Sequence, residues 1–484
     1  MGLGTTGPVV PEGLVAVVKR DCPTCELVVP VLQQLAREAP PLTVFSQDDP
    51  AFPPGLPVRD DRQLDASFAF DVEIVPTLMR VDGAGRVTAK TQGWKREDWE
   101  ALTGVSGLGA ELPGFRPGCG SRTQDPDVAD RFASRGGGSA LRSRRVEIGS
   151  GEDAIEACFE RGWSDGLPLV PPTPERVLRM LEGTTRKPDE LVALVPPDLA
   201  DCTVEKAAIN AVMAGCRPEY FPVVLAAIEA ACSDEFNIHG VLATTMFVGP
   251  AIIVNGPIAR AIGMNSGVNA LGQGNRANAT IGRALQLVVR NVGGGKPGGV
   301  DRATLGNPGK YTFCFAEAEE GSPWEALSVE RGFAPSASTV TLFAAEGVRG
   351  IVDQKSRSAE SLARSYAGCL RAVWHPKLAL VTDAVVIVSP EHGRVFRNDG
   401  WSKARLRERL LELLTVQGDE LVVGAGGCAE GMPPQVAGKP VPKFTPDGLL
   451  FVHAGGDAGM FSAILAGWAR GPVGSQPVTR EVRT

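Results

Sequence analysis

The stretch Val15-Ala16-Val17-Val18-Lys19-Arg20-Asp21-Cys22-Pro23-Thr24-Cys25 decides the fold of the N-terminal part of this chain. Its first four residues are apolar and rich in valine, which is typical of a buried strand. Over residues 26–36 the apolar side chains recur with helical spacing, at Leu27, Val31, Leu32 and Leu35. We therefore predict that the two cysteines lie where a strand passes into a helix.

A regular succession of elements continues beyond this junction. The pattern predicts strands at residues 42–45, 77–81 and 87–91, a short helix at 64–70 and a closing helix at 95–102. The turn Asp82-Gly83-Ala84-Gly85 separates the last two strands. The predicted order is β-α-β-α-β-β-α.

Two cysteines separated by two residues at a helix start have the spacing of a redox-active pair. Free backbone N–H groups and the helix dipole favour a thiolate on the N-terminal cysteine. We therefore expect Cys22 to be the attacking sulfur and Cys25 the resolving one. Half of a zinc site is the alternative, but such a site needs two further Cys or His ligands. None occurs between this pair and Cys119.

Residues 10–105 resemble the thioredoxin superfamily in the strand, the Cys22-Pro23-Thr24-Cys25 motif, the helix, Val75-Pro76-Thr77 before a strand, Gly93 and the final helix. The resemblance implies a thioredoxin-like fold and a redox-active disulfide between Cys22 and Cys25. It also implies that Pro76 follows a cis peptide bond and packs beside the pair, since X–Pro bonds tolerate the cis form. A partner's extended chain would dock beside Thr77.

Two features depart from that family's pattern. Asp21 stands where thioredoxins usually carry tryptophan, and the inner pair is Pro23-Thr24 and not Gly-Pro. An acidic neighbour disfavours a thiolate. The direction of electron flow therefore stays open.

The remaining sequence predicts a long linker followed by a larger domain. We assign residues 1–106 to the thioredoxin-like domain, 107–150 to a linker rich in Gly, Pro, Ser and Arg, and 151–484 to a layered α/β catalytic domain. A split into two subdomains near Gly347 is left open. Strands are predicted at 251–255, 311–315, 339–343, 378–388 and 449–453, and helices at 277–292, 359–373, 403–414 and 461–469.

Composition and charge exclude several functional classes. The 484 residues are 43% hydrophobic and 22% charged, as in a soluble protein of two or three domains. A net charge of -7 without a basic run argues against nucleic acid as a partner. The apolar runs fall short of the ~20 residues that a membrane span needs, and no secretory signal is visible. We expect a cytoplasmic protein whose 10 cysteines are mostly reduced.

Three further cysteines are candidates for exchange with the pair. Cys119 lies between small residues in the predicted linker, where it is either a shuttle thiol or a merely exposed one. Cys216 is our first choice in the second domain, because a helix start and Arg217 can activate its thiolate; a buried packing role is the alternative. Cys428, in a glycine-rich loop, is the second choice, whereas Cys314 is assigned to the core.

Residues 237–325 hold the densest group of polar residues. Cationic side chains near loop N–H groups can hold a carboxylate or phosphate, although Asn and Gly also simply form turns. His239 and His392 are candidate acid–base groups, and no metal site is predicted. The candidate substrate-binding residues are Asn255, Asn265, Arg276, Asn278, Arg283, Lys310 and Glu317.

The leading hypothesis is a thiol–disulfide oxidoreductase. Its thioredoxin-like domain would supply or remove electrons for a thiol-dependent reaction on a small polar or anionic substrate in the second domain. The expected partners are that substrate, the chain's own second domain, an external thiol reductant and, as an open question, a second copy. A non-redox hydrolase or lyase with a protective thioredoxin-like domain and a soft-metal or metalloid binding protein are the alternatives.

Overall fold

The computed structural model describes residues 12–38, 41–83, 85–125, 141–144, 146, 148 and 152–483. The chain divides into two compact units, Met1–Ala140 and Leu141–Thr484. It is mixed α/β with several sheets, so the predicted α/β class is confirmed. Of the predicted linker, residues 126–140, 145, 147, 149 and 150 lie outside the described residues.

A five-stranded sheet forms the centre of the first unit. The strands are β1 (Gly13–Val18), β2 (Leu42–Ser46), β3 (Val58–Asp60), β4 (Ile74–Val75), β5 (Thr77–Val81), β6 (Val87–Gln92), β7 (Trp94–Lys95), β8 (Phe115–Arg116) and β9 (Cys119–Gly120). The main sheet has the order β3-β2-β1-β5-β6. The pairs β1–β2 and β2–β3 are parallel, whereas β5 is antiparallel to both β1 and β6. Central β1 is buried from Leu14 to Val18, which explains its apolar sequence.

In the described part of the first unit, four helices pack on this sheet, namely α1 (Pro23–Leu27), α2 (Val29–Glu38), α3 (Asp65–Ala69) and α4 (Arg96–Thr103). The predicted helix over 26–36 is therefore interrupted at Val28. Proline at the first position suits the start of α1, because its missing N–H needs no partner there. Helix α2 buries the predicted apolar face of Val31, Leu32 and Leu35. Helix α4 ends at Gly104, whose φ of 76° is left-handed and favours glycine.

The structure differs from the linker prediction at residues 107–125, which are built into the first unit. Strand β8 pairs with β7, and β9 pairs antiparallel with β4. The N–H of Ser121 donates to the Glu73 carbonyl at 2.9 Å, and the Gln47 side chain donates to Ser121 Oγ at 2.6 Å. A composition rich in Gly and Pro predicted a linker, but it does not reveal that the backbone groups have partners.

A seven-stranded sheet organises the second unit. Its strands are β12 (Gly249–Asn255), β13 (Cys314–Ala316), β14 (Thr339–Val352), β15 (Thr382–Val388), β18 (Leu449–His453), β19 (Phe461–Ala469) and β20 (Val478–Glu481). Two separate two-stranded sheets pair β10 (Leu191–Val195) with β11 (Ala200–Thr203) and β16 (Val416–Gln417) with β17 (Pro440–Val441). The order is β13-β12-β14-β19-β15-β18, with β20 paired to β14. The pairs β12–β13 and β15–β18 are parallel.

Helices cover both ends of this sheet. They are α5 (Ala154–Glu160), α6 (Pro174–Leu181), α7 (Val204–Ala214), α8 (Phe221–Ala231), α9 (Ile238–Ala243), α10 (Pro257–Ala261), α11 (Arg276–Asn291), α12 (Leu327–Glu330), α13 (Ala359–Arg371), α14 (Pro390–Asn398), α15 (Lys403–Leu414) and α16 (Gly418–Leu421). Side chains of β12 pack with α7, α8 and α11, and those of β15 with α13, α14 and α15. Alternate residues of the strands, such as Val385 and Ile387, form a separate core on the opposite face. Both faces are therefore buried.

One sequence prediction for this unit is wrong. The predicted helix at 461–469 is strand β19, which lies between β14 and β15. Its two buried faces remove the alternation of apolar and polar residues by which a strand is recognised. At Gly347, where a split into subdomains was left open, strand β14 runs through from Thr339 to Val352.

Candidate active site

Cys22 and Cys25 lie where β1 leads into α1, as predicted. Cys22 is the N-cap of α1, and the backbone N–H of Cys25 donates to Cys22 Sγ at 3.4 Å. The two cysteines lie 3.3 Å apart and are both free thiols. Both are buried, with 1% of Cys22 and 0% of Cys25 exposed. The pair is thus a dithiol held close enough to form a disulfide after a small movement.

The two thiols differ in acidity. The pKa of Cys22 is lowered to about 5, chiefly because its thiolate accepts a hydrogen bond from the Cys25 thiol; the Cys119 thiol and the N–H groups of Cys25 and Thr24 also donate to it. Burial raises the pKa of Cys25 well above its ordinary value, and the neighbouring Cys22 raises it further. The site can therefore hold Cys22 as a thiolate while Cys25 keeps its proton, although Asp21 is adjacent to Cys22 in sequence.

The peptide unit before Pro76 lies beside the pair. The Val75–Pro76 bond is cis, as the resemblance implies. The Val75 carbonyl oxygen lies 3.6 Å from Cys22 Sγ. Thr77 is buried and begins strand β5.

Cys119 is brought to the same place by what we call the covering segment, residues 115–121. In the β4–β9 ladder, Cys119 lies opposite Val75. Thr24 Oγ1 donates to the Pro117 carbonyl at 2.7 Å, which joins the cysteine motif to this segment. The pKa of the half-buried Cys119 is raised by burial and by the hydrogen bond and charge of Cys22. Three thiols therefore lie close together; the sequence offered Cys119 as a shuttle thiol but placed it in a linker.

Close backbone approach explains the glycines around Cys119. A Cβ on Gly118 would lie 2.7 Å from the Val75 carbonyl oxygen and closer still to the Ile74 side chain. A Cβ on Gly93 would lie 2.8 Å from the N atom of Gly118. The sequence signal that was missed is therefore the Gly118-Cys119-Gly120 run, in which the first glycine allows close strand packing.

Cys216, the first choice for a reactive thiol in the second unit, is in an unsuitable place. It follows the C-cap glycine of α7, and a 3-10 turn (Pro218–Tyr220) separates it from α8. Its thiol is buried and donates to the Thr280 carbonyl at 3.4 Å. Burial raises the pKa of Cys216 to about 12. These surroundings favour the alternative, a packing role, over an activated thiolate at Cys216; Cys314 is buried, as predicted.

The cationic side chains expected to hold an anion already have partners. Arg283 forms a bidentate ion pair with Asp165 at 2.7 and 2.8 Å, and both side chains are mostly buried. Lys310 pairs with Asp301 at 2.7 Å. Arg276 Nε donates to the Gly215 carbonyl at 2.9 Å. An anion that bound Arg283 would have to displace Asp165, and one that bound Lys310 would have to displace Asp301. These two ion pairs therefore serve the fold.

The predicted binding residues with neutral or acidic side chains also serve the fold. Buried Glu317 accepts hydrogen bonds from the Asn255 side chain at 2.7 Å and the Leu327 N–H at 2.8 Å, and burial raises the pKa of Glu317. Asn278 exchanges hydrogen bonds with the Asn265 backbone. Of the predicted set, only Asn265 lines an open depression of about 430 Å³, shared with Met264, Val268, Asn269, Gln273, Gly274 and Asn275. That lining carries no charge, and the structure does not gather the predicted residues around one anion site.

The histidines have different surroundings. His239 is exposed on α9. His392 is fully buried and hydrogen-bonded to Tyr366 and Ser462, and burial lowers its pKa. His375, which the sequence did not select, lies with Nε2 3.6 Å from Cys428 Sγ. The second-choice thiol therefore has an imidazole neighbour, from a position 53 residues away in sequence.

Comparisons with protein-family models, curated proteins and solved structures find no match for this chain. Within the described ranges, no helix is long and apolar enough to cross a membrane. The same ranges contain no group of three or more His, Cys, Asp or Glu side chains placed to hold a metal ion.

Proposed function

We propose that the first unit is a thioredoxin-like domain that catalyses thiol–disulfide exchange, with Cys22 as nucleophile and Cys25 as resolving thiol. The observation that carries this proposal is the buried dithiol, 3.3 Å apart, in which the Cys25 N–H points at Cys22 Sγ. A disulfide-forming pair needs this closeness, and a nucleophilic thiol needs donors that stabilise its anion.

The topology around the pair supports the thioredoxin-like assignment. The pair follows a central strand with a parallel neighbour on one side and an antiparallel neighbour on the other. Val75 precedes that antiparallel strand, and its carbonyl lies beside Cys22. A closing helix, α4, packs against β5 and β6. The strand, the segment around Pro76 and the final helix are among the features on which the sequence resemblance rests.

The exchange steps balance in atoms and electrons. The Cys22 thiolate attacks one sulfur of a substrate disulfide, forms a mixed disulfide and releases the other sulfur as a thiolate, which takes up a proton. Cys22 then carries no charge, so one cause of the high pKa of Cys25 is removed. The Lys19 N–H, 3.5 Å from Cys25 Sγ, stabilises the Cys25 thiolate as it attacks Cys22. The Cys22–Cys25 disulfide closes, two electrons leave with the reduced substrate, and the reverse steps oxidise a dithiol.

Within the second unit, Cys428 is the thiol that we propose as a client of the pair. It is half-buried and adjacent to His375, whereas Cys216 is enclosed. An imidazole N–H beside a sulfur stabilises the thiolate needed for exchange. Electrons delivered there would serve a thiol-dependent reaction, and an external thiol would regenerate the pair.

The direct test of exchange is release of thionitrobenzoate when the reduced full-length protein meets 5,5′-dithiobis(2-nitrobenzoate). Wild type and the control Cys369→Ser, which alters a half-buried thiol of the second unit, should share a fast first phase. Cys22→Ser should lose the part of that phase that Cys22 contributes, whereas the part due to the half-buried Cys119 and Cys428 should remain. A fast phase of undiminished amplitude in Cys22→Ser would rule out Cys22 as the nucleophile.

A further inference from the structure

We propose that Cys119 is a third exchange thiol of the site, which the covering segment presents to Cys22 as a built-in disulfide partner. This inference rests on the proposed exchange chemistry of Cys22 and Cys25. It adds a second route by which the pair passes on its disulfide.

One residue, Val75, lies next to both cysteines. Its carbonyl oxygen lies 3.6 Å from Cys22 Sγ, and its backbone pairs with that of Cys119 in the antiparallel β4–β9 ladder. The Cys119 side chain also lies close enough to Cys22 to lower the pKa of the Cys22 thiol. Two cysteines whose backbones are held this near each other need only a modest movement to bring their sulfurs within bonding distance.

The covering segment is anchored on both sides of Cys119, so this proximity is built into the fold. On the N-terminal side, Arg116 pairs with Trp94, and the Pro117 carbonyl accepts from Thr24 Oγ1 at 2.7 Å. On the C-terminal side, Ser121 is held by the Glu73 carbonyl and by Gln47. Such anchoring gives Cys119 an effective concentration toward Cys22 that is on the order of millimolar or more.

Cys119 is more exposed to solvent than Cys22, which indicates what a third thiol could do. Cys22 is only 1% exposed, whereas Cys119 is half-buried. A thiol from solvent therefore reaches Cys119 more readily than it reaches Cys22. A disulfide moved from Cys22–Cys25 to Cys22–Cys119 becomes available to dithiol partners without uncovering Cys25.

The transfer needs no outside oxidant or reductant. The Cys119 thiolate attacks Cys22 Sγ of the Cys22–Cys25 disulfide, the Cys22–Cys119 bond forms and the Cys22–Cys25 bond breaks. Cys25 leaves as a thiolate and takes up the proton that Cys119 gave to solvent. One disulfide and one thiol are present before and after. Burial favours the thiol form of Cys25, which favours this direction.

The test uses full-length Cys25→Ser and Cys25→Ser/Cys119→Ser, treated with ~0.1 mM oxidised glutathione and mapped with trypsin without reduction. Cys22 and position 25 share the peptide 21–37, so a Cys119 link appears as a cross-link to another peptide. We expect Cys25→Ser to yield the Cys22–Cys119 disulfide in about tenfold excess over Cys22–glutathione, because the internal thiol is effectively the more concentrated. The double variant should accumulate Cys22–glutathione.

The failures of the two proposals are distinguishable. If Cys25→Ser accumulates Cys22–glutathione with no Cys119 link, the third-thiol proposal is wrong and the exchange function stands. If Cys22 forms neither species in either variant, the exchange function itself is wrong. A Cys369→Ser variant, treated in the same way, should give the wild-type map.

Discussion

Cys119 is the cross-strand partner of Val75, the residue whose carbonyl oxygen lies 3.6 Å from Cys22 Sγ. A segment with the composition of a linker thus lies beside Cys22 and places a third cysteine near the pair. The β4–β9 pairing holds the backbone of the covering segment beside Val75. Substitutions in this segment should therefore alter the accessibility and the pKa of Cys22 although the cysteine motif itself is unchanged.

Replacing Gly118 with alanine should displace the covering segment. The new Cβ would lie 2.7 Å from the Val75 carbonyl oxygen, closer than real side chains approach. We expect a loss of about 1–3 kcal/mol in the stability of the first unit and faster alkylation of Cys22 by a bulky maleimide. Gly120→Ala is the matched control, because its Cβ meets nothing within 4 Å. Equal effects of the two substitutions would contradict the close strand pairing.

The rate at which iodoacetamide alkylates Cys22 should increase as the pH is raised and should already be constant by pH 7. Its pKa is lowered to about 5 from the ordinary 9.0 by hydrogen bonds to the thiolate. In Cys119→Ala one donor is lost, so the midpoint should move upward. The ionised Cys22 stabilises the folded protein. This contribution to the free energy of unfolding is fully present above about pH 9 and is lost as the pH falls through about 5. A midpoint near 9 in the wild type would contradict the hydrogen-bonded thiolate.

Labelling of the native second unit should separate Cys428 from Cys216. Cys216 is enclosed and its pKa is raised to about 12, so it should resist iodoacetamide until the protein unfolds. Cys428 should react, and His375→Gln should slow that reaction several-fold because the imidazole at 3.6 Å is lost. His239→Gln, which alters an exposed histidine, is the control. Faster labelling of Cys216 than of Cys428 would contradict the assignment of Cys428 as the reactive thiol and of Cys216 as a packing residue.

Arg283→Ala should destabilise the second unit by about 3 kcal/mol, because it leaves the mostly buried Asp165 without its partner. Arg260→Ala removes an exposed pair with Glu320 and should cost less than about 1 kcal/mol. Urea unfolding of both variants measures the difference. Equal and small losses would mean that Arg283 is available for a ligand and not committed to the fold.

Short-range signals were sufficient for the elements around the cysteine pair. The valines of β1 and the spacing of Leu32 and Leu35 in α2 predict a strand and a helix whatever the rest of the chain does. Strand β19 was not predictable in the same way, because a strand buried on both faces has no alternation. Its partners, β14 and β15, are recognised only once the sheet is assembled.

The site was predictable only where its residues are neighbours in sequence. Cys22 and Cys25 form a motif, whereas Cys119 reaches them through a strand pair that no local pattern reveals. Arg283 and Asp165, 118 residues apart, form an ion pair that removes a predicted ligand contact. Cationic and amide side chains in a cluster of loops therefore do not show by themselves whether they bind a ligand or one another.

The central claim is that Cys22 is the nucleophile of a thiol–disulfide exchange site. The most direct measurement is the mass of Cys25→Ser/Cys119→Ser after brief exposure to oxidised glutathione, with peptide mapping of the product. With both neighbouring thiols removed, we predict one glutathione on Cys22, and none on the tryptic peptide 21–37 of Cys22→Ser/Cys119→Ser at the same time point. Absence of the Cys22 adduct, or equal modification of peptide 21–37 in both proteins, would contradict the claim.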